Sequence, residues 1–318
     1  GDAQNQFSGA VSVTGNWVKL GTANGVILGD ITTADANGHF TLDPNQSGGN
    51  TGSVTQAAGT ALDIYQKTII TATGIDVLLT SATNDMTRVA GAQIRVDGTN
   101  VEIVDIDNIE LGTITATGFL NVTAGGAVTN SSSAGALTIT GATTIQAKSG
   151  STYYDVTLNH TSSDFATIKV TGANVILVDA NAIVLGASTV TGTYAVTATA
   201  GGDITQATDE ALRITGNSTF TAAAGHSVYL DSLNTFTGSV TFAAISGNLK
   251  NVTIRDQSAL ELTPLELAKV GGDGGDLIVT TIRALSDSTG GALVIPGTTT
   301  ITAPGQEVVL DHASNNFG

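Results

Sequence analysis

The sequence predicts an all-β chain wound as a parallel β-helix, or β-solenoid, from four repeats of roughly 75 to 80 residues. Three observations carry that prediction. Short runs of alternating apolar residues, such as Val175 and Leu177, Ile183 and Leu185, or Phe220 with Val228 and Leu230, are separated by Gly, Asn, Asp or Thr turns roughly every 8 to 12 residues. An aromatic or Met landmark, preceded by Asn or Ser and one further residue, recurs at Phe7, Met86, Phe165, Phe236 and Phe317, spaced 79, 79, 71 and 81 residues by subtraction. A second landmark, an Ala-Leu pair ending at Leu62, Leu137, Leu212 and Leu293, recurs at 75, 75 and 81 by subtraction. Two independent clocks therefore give the same four copies.

Other motifs keep phase with those landmarks. Val101, Ile103 and Asp105 match Val175, Leu177 and Asp179, and again Val252, Ile254 and Asp256. Residues 1–318 form one solenoid domain on this reading, with repeats at 1–83, 84–161, 162–233 and 234–314, and 315–318 opening the next copy. Because both ends carry the same landmark, the chain is expected to be cut from a longer array, with flanking repeats as its immediate partners. In the first copy the polar stretch from Asp35 to Ser53 interrupts the alternation and predicts a widened turn, with Pro44 in a bend. TAGGAVTN (123–130) and TAGGDITQ (199–206) each predict strand, Gly-Gly turn, strand. In the fourth copy Leu262 to Val270 is read as able to hold one helical turn. Strands that bend and continue in one direction stack their coils in parallel; about 12 to 16 coils of roughly 20 to 25 residues give a rod of roughly 60 to 75 Å. Corner asparagines such as Asn174, Asn181, Asn217 and Asn248 fit the left-handed backbone region.

Composition bounds the function classes. A net charge of −16 and a pI near 4.2 make nucleic acid and anionic membranes poor partners. No apolar run reaches the 18 or so residues of a spanning helix, so this stretch is not expected to insert in a membrane. With no cysteine, disulfide staples, thiolate metal sites and a cysteine nucleophile are excluded.

Few residues suggest chemistry. GGDGGDLIV (271–279) fits a calcium-binding nonapeptide with Asp276, and Asp273 beside it, as ligands; a Gly-rich corner is the plainer alternative, since a single copy lacks the neighbouring turn that would complete the shell. No other cofactor is expected. Glu102, Asp105, Asp107 and Glu110 form the densest acidic cluster, and on a strand Asp105 and Asp107 would share one face, as a polysaccharide-cleaving pair would need. Asp179 and Asp256 occupy the position of Asp105 elsewhere without such a partner, so a turn role is expected and no catalytic residue is assigned. His39, His160, His226 and His312 fall in different copies and cannot meet on stacked coils. Trp17, Tyr153, Tyr154 and Tyr229 could stack on sugars if exposed.

The motifs NxFxGxVxVTG, VxIxDxxxLxLG, TAGGxITQ and GxxTFTAxxGxxVxLD, carried here by Asn234 to Ser239, Val175 to Gly186, Thr199 to Gln206 and Ser218 to Asp231, resemble the repeat region of filamentous-haemagglutinin-type and autotransporter-like bacterial adhesins. That resemblance implies a right-handed helix displayed outside the cell or on its surface. It further implies a non-enzymatic structural shaft that supports adhesion, with a receptor or glycan on a host or bacterial surface as partner. A surface-layer protein and a β-helical polysaccharide-active enzyme are the alternatives.

Overall fold

The computed structural model describes residues 5–44, 51–130, 135–287 and 290–318. Among them there is strand, turn and bend but no helix. Two compact units divide the chain, residues 1–166 and 167–318. Each unit is a parallel β-solenoid, and together they contain about 13 turns of coil.

In the first unit, Val26–Thr32, Val54–Gln56, Val77–Leu79, Val101–Asp105, Leu120–Ala124 and Leu137–Ser149 pair in succession, all parallel. A second column runs through Trp17–Gly21, His39–Asp43, Lys67–Thr71, Gln93–Gly98 and Ile109–Ala116. In the second unit, Ile183, Ile204, Val228, Val252, Leu277 and Thr299 stand one above another, 21 to 25 residues apart by subtraction. That step is one coil. Two further columns, Val175–Asp179 with Tyr194–Ala198, Ser218–Ala222 and Val240–Ala244, and Ser188–Val190 with Leu212–Ile214, complete the cross-section.

Period-2 alternation fixes which side chains point inward. Val175, Leu177, Tyr194, Val196, Phe220, Val240 and their equivalents are buried, and the Thr, Ala and Ile residues between them face out. Like residues lie over like, as at Phe220 and Phe242, whose rings stack 5.9 Å apart.

The two landmarks of the repeat prove to be one hydrogen bond seen from both ends. Asn84 Oδ1 accepts the amide of Leu62, Ser163 Oγ that of Leu137, Asn234 Oδ1 that of Leu212, and Asn315 Oδ1 that of Leu293, at 2.8 to 3.1 Å. Each Ala-Leu turn would otherwise leave a donor without a partner at a coil corner, a cost of about 1 to 3 kcal/mol if buried. A residue one coil later supplies the acceptor, so both landmarks must recur together.

Several expectations are corrected. The stretch from Leu262 to Val270 is not helical: Leu265–Glu266 is a strand, and the amides of Leu265 and Leu267 bond to Ala292 O and Val294 O of the following coil. Leu265 and Leu267 are buried with Glu266 exposed between them, a period of two. Within the polar stretch Asp35 to Ser53, alternation persists through the strand His39–Asp43, where Phe40 and Leu42 are buried. Pro44 lies in a bend as expected, and 45–50 lie outside the described residues. The corner asparagines do not use the left-handed region, for Asp209 is the sole non-glycine with positive φ among the described residues. Asn174 and Asn217 sit at corners because their Oδ1 atoms accept the amides of Thr193 and Ser239, one coil on. One local departure from parallel pairing is the hairpin of Lys148–Ser149 with Thr152–Tyr153.

Asp209 itself supports a prediction. It occupies the third position of a tight turn, with Glu210 N bonded to Ala207 O, where the matching turn from Ala57 to Thr60 has Gly59 at φ 77°. Asp209 adopts φ 61°. Left-handed backbone costs an L-residue about 1 to 2 kcal/mol, and glycine returns part of that as chain entropy. Asp209→Gly is therefore expected to stabilise by about 0.5 kcal/mol, read as a higher urea midpoint at unchanged slope.

Candidate functional site

A shallow cleft of about 430 Å³ in the first unit is lined by Arg88, Gly91, Asp107, Asn108, Glu110 and Thr129. The segment after Met86 leaves the sheet as a loop before rejoining it at Gln93, and the loop's edge forms one wall. Arg88 is held in place on three sides. Its Nη1 is 2.6 Å from Asp63 Oδ1, its Nε 3.0 Å from Asp85 Oδ2, and its guanidinium lies 4.9 Å from the centre of the Tyr65 ring. Glu110 accepts a bond from Gln93 Nε2 at 3.1 Å. The cationic and anionic groups here largely satisfy one another.

The structure places the acidic cluster differently from expectation. Strand Val101–Asp105 ends at Asp105, and Asp107 falls in the following bend, so the two carboxylates do not share a strand face. Asp105 is 2% exposed, with Oδ2 accepting the Met86 amide at 2.9 Å and Oδ1 the Asp107 amide at 3.2 Å. Asp256 repeats the arrangement, accepting from Phe236 N at 3.1 Å and Ser258 Oγ at 2.8 Å. Asp179 accepts from Asn181 N at 2.8 Å. The repeated aspartate thus closes its own turn, and in Asp105 and Asp256 it also anchors the aromatic or Met landmark.

Burial pushes the Asp105 carboxyl up to about 7, against the lowering effect of the two amides, with Asp107 and Asp85 adding to the rise. Burial likewise raises Asp256 to about 6, opposed by the Ser258 hydroxyl and the Phe236 amide. Asp85 is raised too, by burial and then by Asp107. A carboxyl whose folded value exceeds its unfolded value binds more protons when folded, so its contribution to stability is complete below about pH 4 and is lost as pH rises through 6 to 7. The melting temperature is therefore expected to increase from pH 8 to pH 5. The increase should shrink in Asp105→Asn, which does not titrate; equal slopes for both proteins would contradict the assignment.

The calcium motif is spread over a loop and a corner. Asp273 lies in an exposed loop that closes on Val270, and Asp276 begins the next corner, its Oδ1 accepting the Thr298 amide at 2.7 Å. Asp276 N in turn bonds to Asn251 Oδ1 at 3.1 Å, so Asp276 continues the corner ladder. No group of three or more His, Cys, Asp or Glu suited to a metal occurs among the described residues. The histidines lie apart: His160 and His312 each accept an amide two residues on, Ser162 and Ser314, while His226 Nδ1 stands 3.4 Å from Asp203. Tyr153 lies beneath the Lys148 ammonium, 4.7 Å away, and Trp17 is 77% exposed.

The most elaborate polar arrangement is a buried amide pair that alternation and turn signals do not reveal. Gln206 and Asn234 face each other as a reciprocal amide pair, Gln206 Nε2 to Asn234 Oδ1 at 2.6 Å and Asn234 Nδ2 to Gln206 Oε1 at 3.1 Å. Asn234 Nδ2 also reaches Leu230 O and Arg255 O, and Ser232 N bonds to Gln206 Oε1. Gln56 and Asn84 repeat the pair at 2.7 and 3.0 Å, with Ser81 N on Gln56 Oε1 and Asn84 Nδ2 on Val104 O. In the fourth copy Asn315 Nδ2 donates to Asp287 at 2.7 Å. The signal was the shared phase of Gln56 and Gln206 with the Asn landmarks.

A family model described as repeats of unknown function (DUF5649) matches residues 98–171, 172–243 and 249–318, well over half of the chain. The chain belongs to this family. The matched repeats begin at a different point of the cycle from the landmarks above, and the choice of origin in a stacked coil is arbitrary. Residues before 98 lie outside the matches, yet the Gln56–Asn84 pair gives them the same internal plan as Gln206–Asn234. No curated protein and no solved structure matches the chain.

Proposed function

We propose that this chain is a structural stretch of a secreted or surface-displayed adhesin-type protein, a shaft that spaces and supports the adhesive parts without an active centre of its own. The observation that carries the reading is the use made of its polar side chains. The Asp, Asn and Gln residues that could act on a substrate recur from repeat to repeat and bond from coil to coil, as Asp105 and Asp256 do, or Gln56 and Gln206. A residue present in several copies for the same hydrogen bond serves the stack. The outward rows of Thr and Ala suit a chain that, having no cysteine, holds itself together by stacking alone.

Antibodies raised against the chain should label intact cells of the organism that makes it. Labelling only after the cells are made permeable would overturn the reading. Release of reducing ends or unsaturated products from acidic or neutral polysaccharides would return the chain to the β-helical enzymes.

A further inference from the structure

We propose that an outward strip of the first unit, formed by Trp17, Lys19, His39 and Lys67, binds an acidic oligosaccharide, with Trp17 stacking on a sugar ring and the lysines meeting uronic-acid carboxylates. Register places Trp17, His39 and Lys67 in one column on three successive coils, and Lys19 lies two residues along from Trp17 on the same face. With coils about 4.8 Å apart, the column from Trp17 to Lys67 is about 10 Å long. Successive side chains therefore step at a distance comparable with one pyranose unit of an extended glycan laid along the column.

Trp17 is the chain's single tryptophan and is 77% exposed, far more than its other large apolar residues. Leaving so large a ring in water is costly unless a ligand covers it, and a flat amphipathic ring suits the C–H face of a sugar. The ring is held by His39, whose plane meets it at 88° with centroids 5.3 Å apart. Charge selects the ligand. In a chain of net charge −16, with only eleven Lys and Arg, two lysines and a histidine gather around this ring, and no salt bridge among the described residues engages Lys19 or Lys67. The carboxylates nearest the strip are already engaged: Asp35 accepts from Asn16 Nδ2 at 2.7 Å, and Glu110, two coils beyond Lys67 in the same column, accepts from Gln93 Nε2 at 3.1 Å. Asp43 and Asp97 lie in the column four residues from that of Trp17, about 13 Å along the strands. The strip stands on its own geometry and does not depend on the shaft reading.

The single tryptophan makes the test direct. Titration of the chain with a galacturonate oligomer should give a saturable change in tryptophan emission that weakens with added salt, while a neutral malto-oligomer gives none. By calorimetry, Trp17→Ala should lose binding at least tenfold at an unchanged melting temperature, and Lys67→Gln about fivefold, the scale of one exposed ion pair. No emission change at millimolar galacturonate, an equal response to the neutral oligomer, tighter binding of a single-stranded oligonucleotide, or undiminished binding by Trp17→Ala would each overturn the proposal.

Discussion

Asn234→Leu is expected to destabilise the second unit by about 3 to 5 kcal/mol, because one substitution strips partners from several groups that are out of reach of water. Asn234 is fully buried. Its Oδ1 accepts from both Leu212 N and Gln206 Nε2, and the two hydrogens of its Nδ2 are shared among Gln206 Oε1, Leu230 O and Arg255 O. Leucine fits the volume and satisfies none of them. The Leu212 amide then has no partner, and each such buried group costs about 1 to 3 kcal/mol. Urea denaturation should show the loss as a lower midpoint. Asn84→Leu should behave alike in the first unit, where Gln56 and Leu62 take the places of Gln206 and Leu212. A loss below about 1 kcal/mol in both variants would mean that the amide pair decorates the stack without closing it.

Phe220→Ala is expected to cost about 3 to 5 kcal/mol as well, through a different mechanism. Phe220 is fully buried and packs against Tyr194 of the preceding coil at 5.9 Å, Phe242 of the following coil at 5.9 Å and Phe236 at 6.0 Å. The Tyr194 and Phe236 contacts are edge-on, and Phe242 is stacked. Truncation removes the apolar area of the ring and leaves a void between backbones that are pinned by ladder hydrogen bonds above and below, so the site cannot collapse. Phe220→Leu, which refills most of the volume, should recover more than half of the loss. Thermal and urea unfolding of the three proteins provide the comparison. Equal stability of the alanine and leucine variants would contradict a void-limited cost.

The parallel stack was legible because a solenoid writes its coil into the sequence several times over. Inward residues such as Val175, Leu177, Ile183 and Leu185 alternate strictly, and the Ala-Leu and Asn-x-Phe landmarks recur together because a hydrogen bond joins them. Legibility failed where one residue type serves two purposes. Asp105 and Asp107 look like a catalytic pair when the strand is extended by two residues, but the strand stops at Asp105 because that carboxylate turns back to accept the Asp107 amide. The segment TPLELAKV (263–270) looks helical from its propensities, yet Leu265 and Leu267 bury at strand spacing because their amides find carbonyls on the next coil. Asn174 and Asn217 suit a left-handed backbone by residue type, yet at these corners they act through their side chains. The Trp17 strip was half visible: alternation puts Trp17 and Lys19 on one face, but only the register reveals that His39 and Lys67 line up with the ring.

Neighbouring coils lie parallel and in register, and a chain without cysteine allows that to be tested by introducing one cysteine pair at a time. Thr197 and Thr221 are outward-facing partners on adjacent coils. At a spacing of about 4.8 Å between strands, Thr197→Cys with Thr221→Cys lies within the range in which a disulfide closes. Thr197→Cys with Thr219→Cys, displaced by two residues along the strand, lies beyond it. Mild oxidation should cross-link the first pair rapidly and leave the second as free thiols. Cross-linking of the displaced pair in preference to the register pair would contradict the stacked, parallel solenoid.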